Sequence, residues 1–367
     1  ASSFQSAGQR CSALRCLYVQ EDIAPGFLRM LKGAMDELVV ADPWDPAHDI
    51  GPIISGPARD EIAGYVDLAR REGRLLHEVL APREGSFLSP ALIKVGGIGD
   101  LEREVFGPVL HVATFRAQAV DQVLEAVNGK GFGLTFGLHS RIDDRVQHVA
   151  AALKVGNIYV NRNQIGAIVG SQPFGGEGLS GTGPKAGGPH YMARFRAVAF
   201  APVADLAGRG ADPVSVQAAL DRARTDVLRR REVTSLPGPT GESNRLSTHA
   251  RGTVLCLGPT PEAAAEQVRI AEWAGCEAVA VAPGAEIDGV LDPDELAGLS
   301  GFAVVAYDGP DGVACEIRAA LAGRAGALVP LATRADLSGF CRLERHVCID
   351  TTAAGGNASL LAAASSA

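Results

Sequence analysis

The 367-residue sequence predicts an α/β protein in two parts, and three observations carry that prediction. Apolar runs of strand length alternate with amphipathic runs at the three-to-four spacing of a helix. The alternation breaks once, over residues 201–247, where Gly, Asp and Pro punctuate the chain. Length agrees, since at roughly 150 residues per domain there is room for about two.

The elements follow in order. A helical pattern is predicted over Gln9–Leu17, almost at the start. Pro25–Leu38 reads as an amphipathic helix, with Phe27, Leu28, Leu31, Met35 and Leu38 on one face. ADPWDPAHDIGP (41–52) is a proline-broken loop, and residues 58–73 form a helix stopped by Gly73. Strands are predicted at 74–81, 86–95 and 109–115. A helix at Val120–Asn128, the segment GKGFGLTFGLHS, a helix at Asp143–Leu153 and a strand at Asn157–Asn161 come next. A glycine-rich loop runs from Gly166 to Gly188. The following connector holds an Arg-rich helix at 222–231 and a PGPTGES turn cluster. From Gly252 the strands TVLCLGP, EAVAVAP, FAVVAYD, GALVPLA and HVCID alternate with the helices PEAAAEQVRIAEWAG and GVACEIRAALAG, the pattern of a small parallel sheet. LGPTPEA, after the first of these strands, holds no GxGxxG, which favours a packing or covering role over a dinucleotide site.

Composition narrows the function. Hydrophobic residues at 47% and charged residues at 21% exclude disordered, collagen-like and disulfide-framework chains. No apolar run approaches the ~18 residues of a membrane span. The net charge of −8 divides unevenly: residues 1–200 hold 20 basic and 21 acidic side chains, the remainder 14 and 21. Neither part has the basic excess of a nucleic-acid site or of a surface for anionic lipid. Seven cysteines without CxxC spacing argue against a zinc ribbon or disulfide scaffold and for a reducing cytoplasm, with no metal.

Three segments could carry chemistry. In GQRCSALR, Cys11 sits at the start of the predicted helix, where free backbone N–H groups favour a thiolate. A reactive thiol and a buried structural cysteine both stay open on these grounds, while Cys16 reads as core. In EREVFGPVL (102–110), Glu104 and Phe106 precede a Gly-Pro turn, and a solvated carboxylate beside a core aromatic is the plainer reading. NRNQIGAIVGSQPFGGEGLSGTGPKAGGPHY (161–191) has too many glycines for ordinary packing, so backbone there approaches something closely.

Taken together, GQRC, then E-x-FGPV about ninety residues on, then PFGG and a serine-glycine turn resemble the aldehyde dehydrogenase superfamily. With ADPWDPAHDIGPII, the Gly166–Gly188 loop and IDTTAAGGNASLL (349–361), the chain is similar to the L-glutamate γ-semialdehyde dehydrogenase module of the proline utilization A group. The resemblance implies a fold of an aldehyde dehydrogenase catalytic domain with an oligomerisation flap at 1–200, incomplete at its N-terminal side. It further implies a connector at 201–250, a non-catalytic Rossmann-like α/β domain at 251–348 and a covering segment at 349–367. Ile349–Leu361 is expected to pack against the flap around Val155–Arg162.

The resemblance also implies roles. Cys11 matches the nucleophile, with its own backbone N–H helping to hold the oxyanion. Glu104 matches the acceptor for the nicotinamide ribose and Phe106 the aromatic beside it. Ser12, Gly166 and Ala167 match positions that grip the substrate's α-carboxylate, and Phe174 matches an aromatic along its aliphatic stem. NAD⁺ is the implied cofactor, with only part of its site in these residues, and FAD belongs only to a proline dehydrogenase part that is absent here. The implied setting is the bacterial cytoplasm, as a homo-oligomer packed against N-terminal domains, with a small-molecule substrate and neither nucleic acid nor membrane as partner. The Rossmann-like cofactor domain, the general-base glutamate and the oxyanion-hole asparagine of the family would lie ahead of Ala1, so this stretch by itself is expected not to turn over. A monofunctional dehydrogenase fragment and a non-catalytic interaction or oligomerisation module are the alternatives.

Overall fold

A computed structural model describes residues 1–196, 201–204 and 208–352. The chain forms two compact units, one of Ala1–Lys130 with Arg162–Gly166, the other of Gly131–Asn161 with Ala167–Ala367.

The first unit contains strand β1 (Cys16–Gln20), helices α1 (Ala24–Asp36) and α2 (Gly56–Arg71), strands β2 (Leu75–Glu78), β3 (Ala91–Lys94) and β4 (Val109–Phe115), and helix α3 (Val120–Gly129). Its sheet runs β1-β4-β3-β2, parallel except for the antiparallel β2–β3 pair. The centre is apolar on both faces, as a covered parallel strand requires: Ala91, Leu92, Ile93 and Val109 are all fully buried. Helix α2 starts where the Ser55 hydroxyl accepts the Ala58 N–H, with a proline in its first turn and Arg70 and Arg71 in its last. Helix α1 buries Met35 and half-buries Leu28 and Leu31, with Leu38 half-buried just past its end, whereas Phe27 of the predicted face is exposed.

The helix expected over Gln9–Leu17 does not form. A single tight turn at Gln5–Gly8 is followed by a loop and then by β1. Ser6, Ala7 and Gly8 have φ of 55°, 53° and 66°, a left-handed turn just ahead of the expected helix, and Cys16 and Leu17 at its end are drawn into β1 by pairing with His111 and Val112. Cys16 lies on the strand, half-buried, with its thiol pushed up to about 12 by burial and then by Asp100.

The second unit contains β5 (Phe132–Gly133), β6 (Thr135–Leu138), α4 (Asp143–Ala152), β7 (Asn157–Val160), β8 (Glu177–Gly178), α5 (Pro213–Arg222), β9 (Arg230–Leu236) and β10 (Glu242–Ala250). It continues with β11 (Val254–Cys256), α6 (Pro261–Trp273), β12 (Ala278–Ala282), β13 (Ile287–Asp288), β14 (Val304–Ala306), α7 (Asp311–Ala322), β15 (Leu331–Ala332), α8 (Leu337–Phe340) and β16 (Arg342–Asp350). One five-stranded sheet, β13-β12-β11-β14-β15, is parallel throughout, around buried Val254, Leu255, Val304 and Val305. The other, β6-β7-β16-β10-β9, is mixed.

Two sequence expectations are corrected here. The Arg-rich segment 222–231 is not a helix: α5 ends at Arg222, and Asp226 Oδ1 accepts the N–H groups of Leu228 and Arg229, turning the chain into edge strand β9. HVCID belongs to β16 and does not close the parallel sheet; it pairs parallel with β7 and antiparallel with β10. Short apolar strands carry no label for which sheet they join, because the partner is chosen by distant residues. Ile349 lies in register with Val160, and residues 353–367 of the expected covering segment fall outside the described residues. Strand β7 has β6 on one edge and β16 on the other. All seven cysteines are free.

Buried charge braces the mixed sheet. Arg345 and Glu177, both buried, form a two-pronged ion pair at 2.9 and 3.1 Å. Lys185, 2% exposed, donates from Nζ to Asn157 Oδ1 at 2.7 Å and to the Gly175 carbonyl. Its backbone N–H donates to Glu344, which also binds His190 Nδ1. Burial pulls the Lys185 ammonium down to about 7, against the attraction of Glu344 and Glu177. An unfolded lysine holds its proton to about 10.5, so between these values the unfolded chain binds more protons and stability rises with pH. Urea titrations at pH 7, 8 and 9 should show this rise, at no more than about 1.4 kcal/mol per pH unit, and Lys185→Met should flatten it.

Candidate active site

The site starts from a backbone contact. A side-chain carbon on Gly8 would lie 2.1 Å from the Gly107 carbonyl oxygen, so only glycine, which also accepts the φ of 66°, lets these segments touch. That contact brings the Cys11 turn beside the segment Glu104–Gly107. Gln9 anchors the turn from behind, donating to the Pro52 carbonyl at 3.1 Å and accepting from the Ile54 N–H at 2.8 Å. Cys11 is exposed and Ser12 is buried. Cys11 is not at a helix N-terminus, so the dipole argument for its thiolate does not apply.

Arg15 joins the two segments. Its Nε donates to Glu104 Oε1 at 3.0 Å, and its terminal nitrogens donate to the carbonyls of Gly8 at 2.6 Å, Arg10 at 3.2 Å and Gly107 at 3.4 Å. The guanidinium also lies 4.7 Å from the centre of the Phe106 ring. Burial lowers its pKa below the ordinary arginine value, while Glu104 and then Cys11 act in the opposite direction. It stays charged, because arginine has so much to lose before it releases a proton.

Behind Arg15 stands His111, fully buried on β4. Its Nδ1–H donates to the Arg15 carbonyl at 2.8 Å, and its Nε2 accepts from the Tyr65 hydroxyl at 2.8 Å. Burial holds its pKa below the usual histidine range, with the Arg15 carbonyl opposing, so the ring is neutral and its tautomer fixed by its partners. Sequence reasoning missed both residues. An arginine immediately before an apolar strand and a histidine inside one were the available signals.

Glu104 and Phe106 are presented to solvent: the Glu104 side chain is 55% exposed and Phe106 is 44% exposed. Gly166 has a φ of 79°, and a side-chain carbon placed on it would meet nothing within 4 Å, so it leaves open backbone. Nearby, Gln164 Nε2 donates to the Ser12 carbonyl at 3.0 Å. Cys11, Ser12, Glu104, Phe106 and Gly166 thus fall in the first unit. Ala167 and Phe174 fall in the second, where Phe174 exchanges two backbone hydrogen bonds with Ala186 at 3.0 and 2.9 Å. Asn157 Nδ2 steadies the same loop through the Pro173 carbonyl at 2.8 Å. Among the described residues, no group of three His, Cys, Asp or Glu side chains could hold a metal ion, and no helix is long and apolar enough to cross a membrane.

The chain is similar to several known proteins. The bifunctional protein PutA of Rhizobium meliloti is 40% identical over 98% of this chain and 32% of its own length. A 1-pyrroline-5-carboxylate dehydrogenase from a Geobacillus species is 36% identical over 52% of this chain and 38% of its own. A crystal structure of a mutant form of Bradyrhizobium japonicum proline utilization A superposes with a TM-score of 0.52 and 52% identity, covering 53% of this chain and 20% of that one. The chain therefore spans about a third of the length of the curated PutA relatives it matches. The sequence model of the aldehyde dehydrogenase family matches residues 1–200, and the chain belongs to that family.

Proposed function

We propose that this chain supplies the nucleophile, and part of the substrate and cofactor sites, of an NAD⁺-dependent L-glutamate γ-semialdehyde dehydrogenase acting in proline catabolism. The observation that carries the reading is the tie Arg15 makes between the Cys11 turn and Glu104. Proline utilization and 1-pyrroline-5-carboxylate dehydrogenase relatives support the substrate class. In the full-length protein a proline dehydrogenase with FAD would form the other half of the pathway, outside these residues.

The Cys11 sulfur attacks the aldehyde carbon, forming a C–S bond, and the carbonyl oxygen takes a proton to give a thiohemiacetal. The Cys11 backbone N–H steadies the oxygen while it carries negative charge. NAD⁺, held in part by Glu104 and Phe106, would supply the hydride acceptor that lets the carbon on Cys11 pass from thiohemiacetal to thioester. Water then adds, the C–S bond breaks, and glutamate leaves with the thiol restored. Ser12, Gly166 and Ala167 are assigned to the α-carboxylate and Phe174 to the aliphatic stem, each on its match to the family motif alone. Glu104 offers a fixed, exposed acceptor that suits the ribose hydroxyls, with the Phe106 ring beside it.

The test is NADH formation by the full-length protein with glutamate semialdehyde, against propanal as an aldehyde lacking the carboxylate. The reading requires a strong preference for the semialdehyde and a trapped acyl adduct on Cys11 by peptide mass spectrometry. An adduct elsewhere, or no NADH, overturns it. Glu104→Gln should raise the KM for NAD⁺ by about tenfold while changing the aldehyde KM little, since a charge-assisted hydrogen bond of ~1.5–3 kcal/mol is weakened on one side only.

A further inference from the structure

The Arg-rich segment has no part in the chemistry above, yet the fold places it on the wall of a cavity. That cavity, of about 340 Å³, lies within the second unit, between β9, the end of α6 and the start of β16. Its lining includes Arg229, Arg230, Arg231, Arg342, His249 and Trp273, against one acidic residue, Glu232. Arg231 is engaged, donating to the Trp273 carbonyl at 3.1 Å. Arg229, Arg230 and Arg342 have no ion-pair partner among the described residues. With Glu232 as the single carboxylate in the lining, the arginines leave an excess of positive charge that a multiply charged anion would offset.

Two further features point to a ligand. His249 is buried at 4% exposure, and its Nδ1 makes no hydrogen bond, the carbonyls of Val227 and Leu228 lying near it but out of geometry. Burial, then Arg345 and Arg230, push this imidazole down to about 4, so the ring is neutral. Trp273, at the rim, is 71% exposed, an unusual amount of apolar ring to leave in water. A flat apolar face next to guanidinium groups suits a planar base carrying phosphates, and the volume falls in the range of roughly 300–1,000 Å³ usual for small-molecule sites.

We infer that this cavity binds a nucleoside diphosphate or a similar nucleotide, with its phosphates on Arg229, Arg230 and Arg342 and its base against Trp273. Side chains hold the phosphates here, so no glycine-rich turn is needed. The site shares no residue with the proposed aldehyde site.

The test is calorimetric titration of the full-length protein with ADP, with pyrophosphate and with a short single-stranded oligonucleotide. Arg229→Gln/Arg230→Gln, both at exposed positions, should weaken ADP and pyrophosphate at least tenfold. Trp273→Ala should weaken ADP several-fold and leave pyrophosphate unchanged. Neither variant should alter the KM for NAD⁺, which separates this cavity from the cofactor site. Three results would each overturn the inference: no binding of ADP, equal ADP affinity in the wild type and the double arginine variant, or an oligonucleotide binding through the same arginines more tightly than ADP.

Discussion

Cys11→Ala is expected to abolish aldehyde oxidation, by on the order of 10³-fold or more in kcat, while leaving thermal unfolding unchanged. The side chain is exposed at the tip of a turn that its neighbours hold by their backbones, so removing one sulfur costs little packing. The substrate carbon stays bonded to that sulfur from its capture until glutamate is released. Steady-state NADH formation reads the loss, and the melting temperature reads the fold. Binding of NAD⁺ should survive, because Glu104 and Phe106 do not depend on the thiol. A variant that keeps more than about a tenth of wild-type turnover would show that another group is the nucleophile.

Arg15→Ala should be nearly as damaging for a different reason. The guanidinium satisfies three carbonyl oxygens and a carboxylate at once, and its loss leaves the Gly8, Arg10 and Gly107 carbonyls short of a donor in a half-buried place. The Cys11 turn and the Glu104 segment then lose their shared partner. We expect kcat/KM to fall by about 10²-fold with the KM for NAD⁺ raised, whereas Cys11→Ala changes kcat alone. Arg15→Lys restores the charge but can occupy only part of the fork, so it should recover only part of the activity. Alkylation of Cys11 by iodoacetate, with and without NAD⁺, gives an independent reading: cofactor binding should change the alkylation rate in the wild type and much less in Arg15→Ala.

Much of the fold was legible because local pattern and tertiary role agree. β4 occupies the predicted residues 109–115, and α2 runs over Gly56–Arg71 against the expected 58–73. Where reading failed, the deciding partner was remote. Gln9–Leu17 was expected to be helical, but its end belongs to β1, and Cys16–Gln20 takes its shape from His111–Phe115. The arginines of 222–231 looked like one charged helix face because nothing local shows that Asp226 turns the chain toward β10. In the site, Cys11, Glu104 and Phe106 were visible as motif residues. Arg15 was not, since its meaning lies in a carboxylate 89 residues away.

The parentage of β7 has a consequence for how the chain is made. This strand is hydrogen-bonded on one side by β6, close to it in sequence, and on the other by β16. Everything from Arg162 to Cys341 must be synthesised before that second neighbour exists. Until then Ile158, Tyr159 and Val160, all buried in the finished protein, belong to an open edge of apolar strand. Such long-range closure slows folding and leaves a sticky surface during translation. The mixed sheet is therefore where nascent chains would be captured by chaperones, and where ribosome pausing downstream of Val160 would do most harm to yield.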